Sequence, residues 1–529
     1  MKKFVTLSAL LLVAVPLFAQ LTPKPAPNTR SATVGDVNGD GLTDVIDDIT
    51  WQRNTNGAFA APVRLPISGR VLGVLDANGD GAVDLLTTDE AVYVMPPQGP
   101  YSIWMNDGHG SFTRFPAPTA VLTPAANGPI GLPPFIADFD GDGKDDFILP
   151  YPHPFEESTR FDYAFYRSRG DGTFERTDFV QLDLRGGTPI NIGGRQRMTA
   201  GDVTGDGKTD VVVMLGGSLL ILAGRGDGTF EALPERFTGF AYGRSNGDSV
   251  KIADIDGDRK NDIVAYGTDG VAVFFGDGHG GFSRLAVGPA GACAVNDLCD
   301  VGVTLDVIHY SSMQRWDIAV GSQGSNVSIL TYSNGTLHET ARVQLFPGES
   351  MGNVIVPPFN LYYAVSVVAG KFRTDSPADL YAFRSWDGPT PNQAFLVLQD
   401  KQAEDVAPPR RRAAGRPGTS TAAATIGTLT LRIVPSYVDL FLTGRCYGLE
   451  DTFELQRDGI FAHGTAKSGK IVDAIIEGNG EVIRVGSLAN GAPNATFRRT
   501  GDGHYEATAY WQTSCQGQSF DIKIDAYVQ

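Results

Sequence analysis

A nine-residue pattern of Asp, Asn and Gly recurs five times in the first half of the chain: DVNGDGLTD from Asp36, DANGDGAVD from Asp76, DFDGDGKDD from Asp138, DVTGDGKTD from Asp202 and DIDGDRKND from Asp254. Each copy ends in Asp and leads into apolar residues, from Val45-Ile46 in the first to Ile263-Val264 in the fifth. A Gly turn closed by Phe follows each copy: NTNGAF, NDGHGSF, SRGDGTF, GRGDGTF and GDGHGGF, ending at Phe59, Phe112, Phe174, Phe230 and Phe282. A unit repeated in this way has to be one supersecondary piece that buries its apolar faces against its neighbours, so the repeat dictates the fold.

The last Asp of the loop precedes that Phe by 20 residues in the fourth and fifth copies, 28 in the second and third, and 15 in the first. A strand, a turn, a second strand and a Gly-rich turn fill that length at about five residues per strand. Two worn copies extend the series. Asp317-Ile318-Ala319-Val320 stands 20 residues before Leu337, and Asp379 closes GKFRTDSPAD ahead of AFLVLQ, placed as a third strand. The seven units end near Asp400, and a spacing of about 40 to 64 residues suits a four-stranded propeller blade. The seventh unit shows no fourth strand of its own.

The nine-residue loops carry oxygen donors at positions 1, 3, 5 and 9, with a carbonyl at 7. The candidate ligand sets are Asp36, Asn38, Asp40, Leu42 and Asp44; Asp76, Asn78, Asp80, Ala82 and Asp84; Asp138, Asp140, Asp142, Lys144 and Asp146; Asp202, Thr204, Asp206, Lys208 and Asp210; and Asp254, Asp256, Asp258, Lys260 and Asp262. Three or four carboxylates drawn together repel one another unless a cation sits among them. An all-oxygen set suits calcium, up to five ions here, at the affinity of extracellular modules, on the order of 10⁻⁴–10⁻³ M. An EF-hand begins in the same way, but it needs an acid at position 12 and a following helix. Position 12 is Asp47, Thr87, Leu149, Val213 and Ala265, and the residues that follow read as strand, so the EF-hand is excluded. The third loop has the fullest carboxylate set. Thr204 weakens the fourth, and Arg259 puts strain and positive charge where the fifth prefers Gly.

The paired signals resemble FG-GAP repeats, also called VCBS-type repeats, which build the integrin α-subunit propeller. The resemblance covers about residues 31–400. It implies seven blades around an axis, with each Asp-rich loop joining the first and second strands of its blade, and partner binding on the face opposite those loops.

The remaining chain frames this region. Lys2-Lys3, the apolar run Phe4–Leu17 and Ala19 read as a secretory signal over residues 1–19, with 20–30 as an N-terminal extension. No later run reaches the roughly 18 apolar residues of a membrane helix, so no span is expected. The formal net charge of −17 argues against nucleic acid and anionic lipid as partners. Four Cys suit an oxidising compartment, with Cys293–Cys299 and Cys446–Cys515 as the expected pairs. Residues 401–425, rich in Pro, Ala and Arg, read as a linker. The alternating stretches over 426–529 suggest a small C-terminal β-sandwich.

Several residues invite a functional reading that the repeat explains better. Arg169-Gly170-Asp171 and Arg225-Gly226-Asp227 spell an adhesion tripeptide, but Gly-Asp-Gly-x-Phe is the repeat's own turn. His109 and His279 hold matching turn positions, and Trp51 and Trp104 read as blade packing. Trp386 and the cluster Tyr151 to Phe155 are the candidates for exposed contact. No nucleophile elbow, zinc helix or phosphate loop occurs. The expectation is an all-β chain, a seven-bladed propeller followed by a β-sandwich. It would be a secreted or cell-surface calcium-binding protein that engages an extracellular protein or carbohydrate without catalysis. The alternatives are a polysaccharide lyase or hydrolase on a propeller scaffold and a structural surface or matrix protein.

Overall fold

The computed structural model describes residues 21–27, 33–67, 69–88, 101–115, 135–151, 160–183, 197–215, 218–239, 250–267, 270–288, 305–321, 326–345, 354–356, 359–361, 365–376, 378–384 and 393–399. Within 427–528 it describes the strands and the turns at 459–460, 480–481 and 503. Among these residues there is no α-helix, and every strand pairing is antiparallel. The expected leader, the linker, Cys293, Cys299, Cys515, Trp386 and residues 152–155 lie outside them.

Seven four-stranded sheets follow the repeat. Sheet one runs from Thr33–Gly35 to Val63–Arg64, sheet two from Arg70–Leu75 to Phe112–Phe115, and sheet three from Phe135–Ala137 to Phe174–Asp183. Sheet four runs from Arg197–Gly201 to Phe230–Ala232, sheet five from Val250–Ala253 to Phe282–Val287, and sheet six from Leu305–Ile308 to Thr336–Gln344. A further short strand, Arg236–Phe237, pairs with Ser218–Gly224 of sheet four. The first strand of each sheet touches the first strand of the next, and Thr33–Gly35 touches both Arg70–Leu75 of sheet two and Ser366–Gly370 of sheet seven.

The core lies between sheets, which explains the apolar runs that follow each loop. In Asp210–Leu215, Val211 and Val213 pack with Ile148, Phe165 and Phe230, while Val212 and Met214 pack with Ile263 and Phe274 of sheet five. Successive side chains point to opposite faces. A strand covered on both faces therefore reads as continuously hydrophobic rather than alternating.

Sheet seven corrects the reading of the N-terminal stretch. Ser366–Gly370, Asp379–Arg384 and Gln393–Gln399 take the first three places, and Leu21–Ala26 supplies the fourth, with Leu21 opposite Gln399 and Ala26 opposite Ala394. Within the expected extension 20–30, Leu21–Ala26 is thus a sheet strand. The strand lies at the other end of the chain from its partners and reads LTPKPA, a sequence without strand-like composition. Proline cannot donate to a ladder, so Pro23 and Pro25, two apart, have to face the free edge. That placement also blunts the edge against further strand addition.

The C-terminal region is a closed eight-stranded barrel in place of the expected sandwich. Gly427–Ile433 pairs with Thr452–Asp458 on one side and with Ser519–Val528, the last strand, on the other. Sandwich and small barrel both need one apolar and one polar face per strand, so alternation alone does not separate them. The barrel packs on sheet five: Ile460, Phe461 and Ile475 share one buried cluster with Phe274, Phe282 and Leu285.

Candidate metal centres

Each nine-residue loop joins the first and second strands of its sheet, and its two end acids do different work. The position-1 Asp folds the loop on itself. Asp138 Oδ1 accepts from the N–H groups of Gly141 (2.7 Å) and Asp142 (3.2 Å), and Oδ2 accepts from Gly143 N–H (3.0 Å). Asp36, Asp76, Asp202 and Asp254 make equivalent turns. Gly141 and Gly143 sit at φ 76° and 83°, a region that disfavours a β-carbon.

The position-9 Asp is buried and ties the loop to the far end of the third strand. One oxygen of Asp84 accepts from Ala77 N–H (3.0 Å) and the other from Asn106 N–H (2.8 Å). Asp44 does the same with Val37 and Asn54, Asp146 with Phe139 and Ser168, Asp210 with Val203 and Gly224, and Asp262 with Ile255 and Gly276. Burial pushes the carboxyls of Asp44, Asp84, Asp146 and Asp262 upward, and the donated N–H bonds pull them partly back. Asp44 and Asp84 reach about 6, Asp146 and Asp262 about 7.

Positions 1, 3 and 9 converge in two loops. Carboxylate oxygens of Asp138, Asp140 and Asp146 lie within 4.8 Å of one another, as do those of Asp254, Asp256 and Asp262. Oxygens sharing one calcium at about 2.4 Å can be no further than about 4.8 Å apart, so both triads fit a single ion. These are the loops in which Asp stands at all four side-chain positions. The other three carry Asn38, Asn78 and Thr204 at position 3. Asn38 Nδ2 donates to Asp44 (3.0 Å) and Asn78 Nδ2 to Asp80 (2.7 Å). Position 5 is drawn away by its neighbour at position 7 in three loops: Lys144 pairs with Asp142, Lys208 with Asp206 (3.5 Å) and Lys260 with Asp258 (3.9 Å). Arg259 holds φ at 69°, the left-handed backbone expected to strain the fifth loop.

Several residues that shape the loops had no role assigned from sequence. Arg53, Arg167 and Arg284 reach across to Asp40 (3.1 Å), Asp140 and Asp256. Asn106 Nδ2 donates to Val37 O of the preceding sheet (2.8 Å), Asn54 Nδ2 to Phe372 O (2.8 Å), and Ser168 Oγ to Ala77 O. Their signal was a short polar residue opening the Gly turn in NTNGAF, NDGHGSF and SRGDGTF. Backbone bonds continue the belt, with Thr43 N–H to Lys371 O (2.8 Å), Asp145 N–H to Asp76 O (2.8 Å) and Trp316 N–H to Asp254 O (3.2 Å). The loops are thereby linked to one another and not only to their own sheets.

The adhesion-like tripeptides are engaged within their turns. Asp171 accepts from Thr173 N–H (2.9 Å) and Asp227 from Thr229 N–H (2.9 Å), while Arg169 and Arg225 pair with Glu175 and Glu231 (both 3.4 Å). Trp51 is buried, and Trp104 packs against the same cluster.

Among solved structures, the chain is similar to an Agrocybe aegerita lectin described as recognising non-reducing terminal N-acetylglucosamine (20% identity, 59% of this chain and 80% of that one, TM-score 0.43). It is also similar to BBS1N in complex with ARL6DN (10% identity, 73% and 99%, TM-score 0.39) and to Saccharomyces cerevisiae Sqt1 (10% identity, 84% and 96%, TM-score 0.39). No curated protein matches the chain. The family model described as the FG-GAP-like repeat matches residues 76–149 and 202–265, spans that contain four of the five Asp-rich loops between Asp76 and Asp262. On its own residues and on this match, the chain contains FG-GAP-like repeats over residues 76–149 and 202–265.

Proposed function

We propose that the seven sheets are the blades of one closed propeller, stabilised by calcium in the five Asp-rich loops, that presents its surface loops to an extracellular protein or carbohydrate without catalysing a reaction. The observation that carries this reading is the convergence of Asp138, Asp140 and Asp146 and, two sheets on, of Asp254, Asp256 and Asp262, each within 4.8 Å. Positions 1, 3, 5 and 9 would supply side-chain oxygens to the ion and position 7 its carbonyl. A bound ion would neutralise the position-9 acids, of which Asp44, Asp84, Asp146 and Asp262 are otherwise driven toward protonation by burial.

The circuit of first strands and the bonds between loops support closure. Export rests on the sequence of residues 1–19, and it is compatible with strand Leu21–Ala26 starting just after the expected cleavage point. Binding in place of catalysis is the simpler reading because the repeat accounts for most paired carboxylates.

The deciding experiment titrates calcium into chelated protein while following the melting temperature, with bound metal quantified by elemental analysis. A rise that saturates near millimolar calcium supports the reading. No rise, or no retained metal, sinks it. A glycan array run beside a lyase and hydrolase screen on acidic polysaccharides separates a lectin from an enzyme.

A further inference from the structure

The seventh loop departs from the other repeats in a definite way. Its position 1 is Lys371, and its position 5, Asp375, is largely exposed, with a side chain 67% accessible. Position 3, where the five motif loops have Asn, Asp or Thr, is Arg373. The Arg373 guanidinium grips the buried position-9 acid with two parallel bonds, Nε to Asp379 Oδ2 and Nη2 to Asp379 Oδ1, both 2.9 Å. Nη2 also donates to Gln399 O (2.9 Å). Asp379 Oδ1 further accepts from Ser376 Oγ (3.2 Å) and Gln399 N–H (3.1 Å). A planar, always-charged fork of this kind gives a carboxylate two charge-assisted bonds in one fixed geometry.

The location of this loop matters as much as its chemistry. Gln399 ends the strand that pairs with Leu21–Ala26, the pairing that joins the two ends of the repeat region. The Arg373 stem lies where a side chain at Gly57 of sheet one would have to go, with Cγ 3.3 Å from that point. Thr374 N–H donates to Asn56 Oδ1 (2.8 Å), and Lys24 Nζ donates to Gly57 O (2.7 Å). The Arg373 side chain therefore bonds within sheet seven and packs its stem on Gly57 of sheet one, the residue to which Lys24 of the N-terminal strand also bonds. The sixth loop also closes without clustered acids. His309 stacks on Trp316 with centroids 3.8 Å apart, and Asp317 is satisfied by Tyr310 N–H, Ser311 N–H and Ser311 Oγ.

We propose that Arg373 is the permanent cation of the seventh loop, so that the seam between the last sheet, the N-terminal strand and the first sheet holds without a divalent ion. The contrast with the five motif loops rests on the calcium reading above; the role of Arg373 does not. Calcium loss would then loosen the Asp-rich loops while leaving the ring shut.

Hydrogen exchange on the whole exported chain, with calcium and with chelator, tests this directly. Peptides covering 138–146 and 254–262 should lose protection about tenfold in chelator, whereas 21–26 and 393–399 should stay within about twofold. Loss of protection at the seam in parallel with the loops overturns the proposal. If the loops do not respond to calcium, the calcium reading fails, and Arg373→Gln still decides the seam. The proposal expects 21–26 and 393–399 to exchange about tenfold faster in Arg373→Gln, with or without calcium, and Arg373→Lys to recover only part of the protection. Wild-type protection in Arg373→Gln would refute it, and the wild-type comparison remains decisive should that variant fail to fold.

Discussion

The ring of Phe282 meets the ring of Phe461 edge to face, with centroids 6.1 Å apart and planes at 79°. Phe282 closes the Gly turn of the fifth repeat, and Phe461 begins a barrel strand, so the repeat's own signature residue anchors the C-terminal domain. Arg236 caps the contact. Its guanidinium lies 5.4 Å from the Phe461 centroid and pairs with Asp458 at 2.5 Å.

Phe461→Ala should therefore detach the barrel more than it unfolds it. Removing a buried Phe costs about 3–5 kcal/mol, and here part of that loss falls on docking. Calorimetry should show one transition for the wild type and two for the variant. A variant that melts as one unit at an unchanged temperature would show that the contact carries little energy.

The two end acids of a motif loop should behave differently when calcium is absent. Asp84 satisfies two buried N–H groups, whereas Asp80 lies exposed at position 5. In chelator, Asp84→Ala should destabilise by about 2–4 kcal/mol, because it leaves both donors unpaired. Asp80→Ala should cost little in chelator and reduce only the stabilisation that calcium adds. Denaturant unfolding of both variants, with and without calcium, measures the difference.

The local motif made the Asp-rich loops, the strand after each loop and the closing Phe residues legible in the sequence. What it could not reveal depends on contacts between distant segments. Leu21–Ala26 has no strand-like composition and finds its place only against Gln393–Gln399. Arg373 stood in a degraded copy of the loop, where the loss of Asp masked its replacement by a guanidinium. Alternation over 426–529 suits a sandwich equally well, because closure is decided by Ser519–Val528 returning to Gly427–Ile433, and no single strand encodes that pairing.

Arg259→Gly should strengthen the fifth loop. The left-handed backbone at φ 69° costs a non-glycine residue about 1–2 kcal/mol, and glycine adopts it freely. The carboxylate bond to the residue-259 N–H, 2.8 Å from Asp254 Oδ2, survives the change because it uses only the backbone. The variant should gain about 1 kcal/mol in chelator, somewhat less than the strain because glycine is also freer when unfolded. Removal of a positive charge from the loop should also tighten its calcium binding. A melting temperature equal to or below the wild type would mean that the Arg259 side chain contributes more than its backbone costs.

The buried position-9 acids set the direction of the pH response. Asp146 and Asp262 are lifted by burial from the ordinary 3.8 to about 7, and Asp44 and Asp84 to about 6. Between those values and 3.8 the folded state binds more protons than the unfolded chain, so stability falls as pH rises. The contribution of these groups is fully present below the unfolded value and is lost as pH climbs through about 6 to 7. A calcium ion requires the same carboxylates ionised, so it competes with the protons that chelated protein holds at low pH. Melting curves recorded at about pH 5 and about pH 8 should therefore show a smaller calcium-induced rise at the lower pH. An increment equal at both pH values would mean that the position-9 carboxyls are ionised throughout, and burial would then not be governing their charge.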